Sequence, residues 1–372
     1  MATIDSALPL RRFALRLTEG IDGTLLVLTL TLSMIGLAAL FSASYDTPSR
    51  VASQLANLGL AFCAMWVVAQ VPPQTLMRFA VPAYVVGMIL LVAVALAGDV
   101  VNGARRWLHV GVTRFQPSEM MKLAVPMLLA WYFHKREAGV LLRHYVLGAL
   151  LLVVPVAFIA RQPDLGTAAL VAAGGFYVIF FAGISWKVLA WLGGLAVAGL
   201  FPLWGLLHDY QRKRILTLLD PTTDPLGAGY HIIQSTIAVG SGGLAGKGWL
   251  NGTQAHLEFI PERHTDFIFA VFSEEFGLIG NCVLLALYAL LVGRGLMIAA
   301  NAPTVFTRLL AGSISLMFFT YAFVNMGMVS GILPVVGVPL PFLSYGGTAL
   351  LTLFVATGIL MSVHRHRKLV QT

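Results

Sequence analysis

Charged residues are scarce in this 372-residue sequence, and their scarcity excludes most soluble folds. Only 11% of the residues are Asp, Glu, Lys or Arg, whereas 58% are hydrophobic. An average soluble domain carries about twice that charged share. Apolar runs recur along the chain, and about 20 mainly apolar residues are enough to cross the hydrocarbon core of a bilayer. The sequence therefore predicts one all-α, polytopic integral membrane domain over residues 1–372.

Cysteine is nearly absent as well, which excludes a disulfide framework. Cys63 and Cys282 each lie inside an apolar run, without the Cys or His spacing of a metal site. The net charge of +8 could indicate nucleic-acid binding, but Lys and Arg occur in short runs that flank apolar segments, as orientation signals do. We expect neither metal ligands from these residues nor a nucleic-acid partner.

Apolar runs between charge clusters predict about ten transmembrane helices. Their approximate limits are 23–43, 51–70, 79–98, 119–134, 145–160, 167–184, 188–207, 267–293, 309–329 and 342–363. The first run is too long for a cleaved signal peptide and suits a membrane helix. Pro82, Pro126 and Pro155 fall inside spans and predict kinks there, because proline frees a carbonyl that a neighbouring helix or water must satisfy.

Counts of Lys and Arg orient these helices. With Lys122 omitted because it lies within a span, one side of the membrane carries 13 such residues and the other 10. Five of the ten belong to one long segment, for which charge counting is a weak guide. The bias predicts cytoplasmic N- and C-termini, and it places the segment 208–266, between helices 7 and 8, outside the cell.

The predicted external segment, 208–266, is the longest connection in the chain, and long loops on a compact scaffold are usually functional or disordered. Its residues Tyr230–Val239 are apolar enough to lie along the membrane surface. Gly240–Gly248 looks like a phosphate-binding loop, but Ser241 stands where the first glycine is needed and Gly248 where Ser or Thr should follow the lysine. We interpret these glycines as turns.

A charged cluster, Pro261–Phe267, runs directly into the eighth predicted helix. Charged side chains at the mouth of a helical bundle suit a reaction on a membrane-anchored polar substrate. Thr265 or Asp266 could equally cap the helix N-terminus, a role that these residue types often fill. Spacing alone leaves both interpretations open.

Ionisable residues also occur at membrane depth. Glu119 and Lys122 lie three apart on the fourth predicted helix, so they share a face and can pair. Such residues are energetically expensive and usually face an interior cavity, although a pair could also serve only to neutralise itself during membrane insertion. Glu274 and Glu275 come about two turns into the eighth predicted helix and have no obvious partner in the sequence.

Several polar residues fall on the predicted outer side, near the long segment. Arg106 and Trp107 belong to an interfacial stretch, where a Trp is commonly an anchor but could also face a substrate. Asp164 and the basic run that contains Arg212 and Arg214 lie on the same side. A surface of mixed charge suits a ligand that carries both phosphate and peptide.

Five strings in this chain resemble the shape, elongation, division and sporulation family of membrane proteins. They are NGARRWL (Asn102–Leu108), RFQPSE (Arg114–Glu119), QPDLGT (Gln162–Thr167), LEFIPERHTDFIFA (Leu257–Ala270) and GVPLPFLSYGG (Gly337–Gly347). They follow the family's order over most of the chain. Arg263 after Pro261-Glu262, and the stretch Asp224–Ser235, are more similar to the cell-elongation branch than to the division branch.

The resemblance implies a peptidoglycan glycosyltransferase of the bacterial inner membrane that polymerises lipid II into undecaprenyl-pyrophosphate-linked glycan. It also implies a class b penicillin-binding protein as transpeptidase partner, together with other elongation-complex membrane proteins. Asp266 corresponds to the family's catalytic aspartate, and Glu119 and Lys122 correspond to its paired cavity residues. Trp107 and Asp164 fall in motifs near that cavity, and His264 belongs to the same charged cluster as Asp266.

Asp266 is the expected general base on the attacking sugar hydroxyl. A second carboxylate is not required, because pyrophosphate can leave unprotonated if cations hold its charge. Arg106, Arg212 and Arg214, or a divalent cation such as Mg²⁺ or Mn²⁺, are the candidates for that role. A helix N-terminus lowers the pKa of Asp266, whereas burial or the nearby Glu262 would raise it.

Two other functions fit parts of this pattern. A buried charge pair and a central cavity also suit a transporter or flippase that moves lipid II across the membrane. A non-catalytic scaffold for the penicillin-binding protein is the third interpretation, and it would tolerate Asp266→Asn. The discriminating observation is covalent, because a flippase relocates lipid II unchanged whereas a polymerase lengthens it.

Overall fold

The computed structural model describes residues 21–101, 104–110, 113–137, 139–206, 209–224, 227–257, 259–260 and 262–367. Its helices are α1 Gly23–Ala43, α2 Pro48–Gln70, α3 Pro73–Ala97, α4 Pro117–His134, α5 Leu142–Arg161, α6 Leu165–Phe181, α7 Trp186–Leu206, α8 Asp209–Leu219, α9 Ala228–Ser241, α10 Thr253–His256, α11 Ile268–Ala300, α12 Val305–Val329 and α13 Gly347–Arg365. A 3-10 turn covers Pro221–Thr223, and the strands are β1 Asp99–Val101, β2 Ala104–Val110 and β3 Thr113–Phe115.

Seven described helices are long and apolar enough to cross a membrane. They are α1, α2, α3, α5, α11, α12 and α13. The predicted fourth, sixth and seventh spans correspond to α4, α6 and α7. Helix α4 is more polar because it carries Glu119 and Lys122, α6 is 17 residues long, and α7 is an apolar helix of 21 residues. The prediction of a helical integral membrane protein is confirmed.

A small antiparallel sheet departs from the predicted all-α fold. It lies between α3 and α4, with the strand order β1-β2-β3. Asp99 of β1 pairs with Trp107 of β2, and Leu108 of β2 pairs with Phe115 of β3. The sequence between β1 and β2 is Asn102-Gly103, a dipeptide typical of two-residue hairpin turns, so a local signal for this sheet was present.

The centre of the protein lies around α12 and α13. About two thirds of the apolar part of each is buried, whereas α2, α3 and α5 bury only about a fifth and present the rest to the membrane. Small residues allow the helices to approach closely. A Cβ on Gly36 would lie 2.6 Å from the Leu343 Cα, and one on Gly358 would lie 2.6 Å from the Met65 carbonyl oxygen.

The segment predicted to lie outside is largely helical. It contains α8, the Pro221–Thr223 turn, α9 and α10, and α9 packs against α11. The interpretation of its glycines as turns is confirmed, because Gly243, Gly246 and Gly248 all have positive φ angles, of 54°, 80° and 93°. Within α11, helical dihedral angles are interrupted at Gly277, where φ is 63° and ψ is −160°.

An ionic cluster joins three helices at the end of α11 that is remote from its N-terminus. Asp22 caps α1 by accepting a hydrogen bond from the Leu25 amide at 2.8 Å. Oδ2 of Asp22 also accepts hydrogen bonds from two nitrogens of Arg294, on α11, at 3.1 and 2.5 Å. Nε2 of His364, on α13, lies 3.4 Å from the same oxygen. The cluster therefore fixes α1, α11 and α13 relative to one another.

Candidate active site

Asp266 lies in a turn, Glu262–Phe267, that leads directly into α11. Its backbone carbonyl accepts a hydrogen bond from Nδ2 of Asn325 at 2.8 Å. Asn325 is fully buried on α12 and also donates to the carbonyl of Val338 at 2.7 Å. One amide group thus joins the turn, α12 and the segment that precedes α13.

That segment, Gly337–Tyr345, runs alongside the Asp266 turn. The Ser344 hydroxyl donates to the Thr265 carbonyl at 2.6 Å, and the Tyr345 amide donates to the His264 carbonyl at 2.9 Å. Gly337 has φ +72°, and a Cβ built on it would lie 3.3 Å from Oδ2 of Asp266. The carboxylate is therefore flanked by backbone that any larger residue would crowd.

The start of the turn is fixed to α1. The buried Arg263 donates to the Ala43 carbonyl at 2.7 Å and to Oδ1 of Asp46 at 3.0 Å. Glu262 has a positive φ of 51° and accepts the Thr265 hydroxyl on its carboxylate at 3.0 Å. Hydrogen bonds at both ends of the turn thus restrict how far Asp266 can move.

Neither of the predicted capping residues caps α11. The N-cap position is Phe267, and it makes no side-chain capping bond. Thr265 instead bonds to Glu262, so the capping interpretation of Thr265 and Asp266 is wrong. The Asp266 carboxylate is left available for chemistry.

Burial raises the pKa of Asp266 to about 6, with further contributions from the carboxylates of Glu262 and Asp164. Loss of water disfavours the charged form, and nearby negative charges disfavour it further. The opposing effect of the helix N-terminus is therefore outweighed. A carboxyl group with this pKa is still mostly ionised at neutral pH and is a stronger base than an ordinary aspartate.

Asp164 lies close to this site and is held by two donors. It caps α6 by accepting the Thr167 amide at 3.1 Å, and it accepts Nε2 of Gln116 at 2.9 Å. Arg106 donates to the carbonyls of Gln162 and Pro163 at 3.1 and 2.5 Å, directly before Asp164. The predicted site residues Arg106 and Asp164 are therefore neighbours, placed from β2 and α6.

Glu119 and Lys122 form the predicted pair inside α4. Their charged atoms are 2.5 Å apart, and only 6% of Glu119 and 1% of Lys122 are exposed. The Lys122 ammonium lies 5.0 Å from the centre of the Tyr321 ring. Tyr321 precedes Asn325 by four residues on α12, so the two share a helix face and connect the ion pair to the Asp266 turn. Within the described residues, Oε2 of Glu119 has no hydrogen-bond partner.

The other predicted site residues are His264, Trp107, Arg212 and Arg214. The half-buried His264 ring lies 6.0 Å from the Tyr345 ring, and burial, followed by nearby Arg50, lowers its pKa. Trp107 lies on β2. Arg212 donates to the Gly205 carbonyl, and α8, which also carries Arg214, packs against the Pro221–Thr223 turn and α9. Phosphate binding by Arg212 and Arg214 stays a prediction.

Four residues of the site were not identified from the sequence. They are Gln116, His231, Tyr321 and Asn325. Tyr321 and Asn325 are polar groups in an apolar span, and Gln116 lies within the RFQPSE string, so each carried a signal. His231 of α9 stacks on Phe267, with ring centres 5.4 Å apart, and this contact between distant segments has no local signal.

The described part of the chain contains no group of three or more His, Cys, Asp or Glu side chains arranged to hold a metal ion. Asp266 and Asp164 are two carboxylates close enough to interact. Magnesium commonly binds one or two carboxylates together with substrate phosphates and water. Asp164, which lies near Asp266, is therefore the described residue that would contribute a ligand to such an ion.

An apolar groove of about 680 Å³ runs between α11 and α12. Its lining includes the small residues Ala289, Gly293, Ala322 and Gly327. Gly327 lies two positions beyond Asn325 on α12.

Comparisons with known proteins agree with these features. The family model described as cell cycle protein, which covers FtsW, RodA and SpoVE, matches residues 23–369. Peptidoglycan glycosyltransferase MrdB of Escherichia coli is 50% identical over 351 residues, which are 94% of this chain and 95% of MrdB. Stage V sporulation protein E of Bacillus subtilis is 37% identical, over 93% of this chain and 98% of its own length.

Solved structures of two related proteins superpose on nearly the whole of this chain. A chain from a peptidoglycan synthase complex, in which polymerization and crosslinking are coordinated, superposes with a TM-score of 0.81 at 35% identity. The rod shape determining protein RodA of Thermus thermophilus superposes with a TM-score of 0.71 at 30% identity. Each match covers 94% of this chain and 98% of the matched chain.

Proposed function

Because this chain belongs to the FtsW, RodA and SpoVE family of cell cycle proteins, we propose that it is a peptidoglycan glycosyltransferase of cell elongation and rod-shape maintenance. It polymerises lipid II into β-1,4-linked glycan strands. The observation that carries this function is Asp266, a carboxylate fixed at the mouth of the bundle with a pKa raised to about 6 by burial and by two neighbouring carboxylates.

Asp266 acts as the general base. A hydroxyl oxygen of the acceptor sugar attacks the anomeric carbon of the donor glycan, and its proton passes to the Asp266 carboxylate. The bond from the anomeric carbon to the pyrophosphate oxygen breaks, and the lipid pyrophosphate leaves with the electron pair. General-base catalysis of this kind contributes about 10²–10⁴ in rate. The restraint of the turn by Asn325 and Arg263 supports this role, because a base must be held within hydrogen-bond reach of its proton.

The leaving pyrophosphate requires positive charge. Arg106 is the best-placed protein group, because its guanidinium lies next to Asp164. Arg212 and Arg214 would add charge from α8. A Mg²⁺ or Mn²⁺ ion bound to the pyrophosphate would be held by Asp164, and it would supply charge neutralisation.

The protein is an integral membrane protein, and we infer ten spans in the bacterial inner membrane. Helices α4, α6 and α7 join the seven longer helices, and both termini lie in the cytoplasm. Asp22 and Asp266 contact opposite ends of α11, which supports an external position for the segment 208–266 if the N-terminus is internal. Labelling of single cysteines at exposed positions with a membrane-impermeant maleimide tests this topology. We expect Asp220→Cys to be labelled in intact spheroplasts. Labelling that occurs only after lysis would place the segment 208–266 inside the cell and contradict the proposed topology.

A class b penicillin-binding protein is the proposed transpeptidase partner, alongside lipid II and other membrane proteins of the elongation complex. The apolar groove between α11 and α12 is where we place its membrane helix. Small residues at Ala289, Gly293 and Gly327 would let two helix backbones approach closely. Gly293→Leu should fill the groove and weaken co-purification of the partner, whereas Gly193→Leu on α7, where a Cβ meets nothing within 4 Å, should not.

The test of the proposed function is a polymerisation assay. Purified protein, together with its penicillin-binding partner, receives lipid II, and the products are separated on a gel. Wild type should produce a ladder of glycan chains and Asp266→Asn should not. Asp220→Asn is the matched control, because Asp220 is an exposed acidic residue of the same external segment, and its carboxylate accepts hydrogen bonds from the neighbouring Thr222.

The flippase interpretation predicts a different result. Wild type with its partner would leave lipid II unchanged in length, and both wild type and Asp266→Asn would move it across vesicle membranes. The scaffold interpretation predicts that Asp266→Asn supports normal growth. Either result would contradict the polymerase function.

A further inference from the structure

The interruption of α11 at Gly277 is filled by another part of the chain. In a continuous α-helix, the amides of Leu278 and Ile279 would bond to the carbonyls four residues earlier. Here they donate instead to the carbonyls of Gly243 and Leu244, at 2.9 and 3.1 Å. Two amide groups that the interruption frees are therefore satisfied from the external segment.

The exchange is reciprocal. The carbonyls of Glu274 and Glu275, which lost those amides, accept the backbone amides of Lys247 and Gly248, each at 3.0 Å. Residues 243–254, here called the inserted loop, thus complete the hydrogen bonding of the helix on both sides of the interruption. Unsatisfied backbone groups at membrane depth cost several kcal/mol each, so this exchange is a strong attachment.

Glycine permits this approach. A Cβ on Gly242 would lie 2.1 Å from the Ser273 carbonyl oxygen, and one on Gly246 would lie 2.1 Å from the Glu275 carbonyl oxygen. Gly246 also has a φ of +80°, which larger residues rarely adopt. Two of the glycines that look like part of a phosphate-binding loop are therefore explained by contact with α11.

A buried ion pair reinforces the backbone exchange. The Glu274 side chain is fully buried, and its Oε1 accepts Nζ of Lys247 at 2.6 Å and the Thr253 hydroxyl at 3.0 Å. The backbone amide of Gln254 donates to both carboxylate oxygens of Glu274 at 3.2 Å. Every one of these donors belongs to the inserted loop, which supplies the partner of Glu274 that was not obvious in the sequence.

The helical piece between Asp266 and the interruption connects this ion pair to the catalytic turn. Glu274 lies eight residues after Asp266, about 12 Å along the helix axis at 1.5 Å per residue. Residues 267–275 are all buried, so the piece cannot shift without moving its neighbours. Helix α9, which leads into the inserted loop, contacts the other end of the piece through His231 on Phe267.

We propose that Glu274 is a positioning residue, which fixes the helical piece Ile268–Phe276 through Lys247 and the inserted loop and thereby sets the orientation of Asp266 for attack. This inference rests on the proposed polymerase function. Glu274 does not touch the substrate, because its carboxylate is enclosed by the inserted loop.

Glu274→Gln is the principal test variant, because it keeps the shape and the hydrogen-bond acceptor but removes the charge that Lys247 pairs with. We expect kcat of lipid II polymerisation to fall about tenfold or more, while KM stays within about twofold, since a misplacement of about 1 Å at the reacting atoms can reduce rates by about 10². Asp220→Asn serves again as the unaffected acidic control in the same external segment. The full-length protein with its penicillin-binding partner is used throughout.

A double-mutant cycle separates positioning from general weakening of the fold. If Glu274 acts through Lys247, then Lys247→Met alone should lower kcat, and adding Glu274→Gln should lower it little further. The midpoint of the pH–kcat profile should also move below that of wild type, because a less restrained Asp266 is better hydrated. A purely structural role would lower the yield and the thermal stability but would leave kcat per folded molecule and the midpoint unchanged.

The outcomes are distinguishable from failure of the proposed function. A wild type that makes no glycan overturns the polymerase function itself. An active wild type with a normal kcat in folded Glu274→Gln overturns the positioning role. If Glu274→Gln does not fold, Lys247→Met and Thr253→Val are used instead, because each removes one donor and leaves the Glu274 carboxylate partly paired. A normal kcat and a normal midpoint of the pH–kcat profile in both variants would also overturn the positioning role.

Discussion

Two aspartates near opposite ends of α11, the buried Asp22 and the partly buried Asp266, have opposite environments. Asp22 accepts hydrogen bonds from the Leu25 amide and two nitrogens of Arg294. Although burial acts to raise it, these bonds and the charge of Arg294 lower the pKa of Asp22. Asp266 faces the carboxylates of Glu262 and Asp164, and burial with those two charges raises its pKa to about 6.

The difference shows how one residue type serves either stability or reactivity. At Asp22 the folded state stabilises the charged carboxylate, so the interaction contributes to folding. At Asp266 the folded state disfavours the charged carboxylate, and the hydrogen bonds that hold its backbone keep it in place. Functional sites are where proteins commonly accept such local destabilisation.

The largest expected effect is on catalysis, and it should separate the two aspartates completely. Asp266→Asn should lower the initial rate of lipid II polymerisation by about 10²–10⁴. Asp22→Asn should leave the rate per folded molecule within about threefold, because Asp22 lies at the other end of α11. Equal losses in the two variants would contradict the assignment of separate roles.

The buried Glu119–Lys122 pair in α4 is intermediate between Asp22 and Asp266, because the Glu119 carboxylate is paired with a single cation. Lys122→Met would leave Glu119 buried and unpaired, and removal of one partner of a buried pair destabilises a protein by about 3–5 kcal/mol. The double change Glu119→Gln with Lys122→Met should recover most of that loss. Thermal unfolding in detergent measures both, and a double variant as unstable as the single one would show that the pair is not the cause.

Asp22→Asn should destabilise the protein by about 1–3 kcal/mol at neutral pH, since it weakens a capping bond and removes charge-assisted bonds to Arg294. The pKa of Asp22 is lower in the folded state, so its contribution is present above about pH 4 and is lost as pH falls through the folded pKa. The difference in melting temperature between wild type and variant should therefore shrink on acidification. A difference that grows at low pH would reverse the sign assigned to this cluster.

Asp266→Asn should have the opposite effect on stability. The folded pKa of about 6 is above the usual value of 3.8, so the favourable contribution is complete below that value and is lost as pH rises through about 6. At pH 7.5 the variant should therefore be more stable than wild type, by about 1–3 kcal/mol. Melting temperatures at pH 7.5 and pH 4.5 test this, since the gain should diminish at the lower pH.

The pH dependence of the rate is the smallest and finest test of the comparison. The base must be deprotonated, so the polymerisation rate should rise between pH 5 and 7 with a midpoint near the Asp266 pKa of about 6. A rate that does not change over that range would exclude Asp266 as the base and favour a positioning role for its carboxylate.

The sequence predicted the helical body and much of the site, because apolar runs and charges within them are strong local signals. The Glu119–Lys122 pair was identified in this way, and its pairing is confirmed. Asp266 was noticed in a charged cluster and Asp164 on the predicted outer side, but the catalytic role of Asp266 was only implied by the family resemblance. Several helix starts were placed late, since Pro48 and Pro73 begin helices, as proline often does.

What the sequence did not predict depends on contacts between distant segments. The bond from Asn325 to Asp266 spans 59 residues, and the exchange between the inserted loop and α11 spans more than 25. No hydrophobic period encodes either contact. The strands of the small sheet are three to seven residues long and carry Arg and Trp that also suit a membrane interface, so that region was interpreted as an interfacial segment.

The backbone exchange at Gly277 also constrains the order in which this protein is made. The ribosome synthesises the inserted loop before it synthesises α11, so the loop exists before the helix with which it exchanges hydrogen bonds. Until the two segments meet, two amides and two carbonyls of α11 lack their final partners. Maturation of this protein therefore includes a late docking step, in which a loop that was made earlier completes a helix that is made after it.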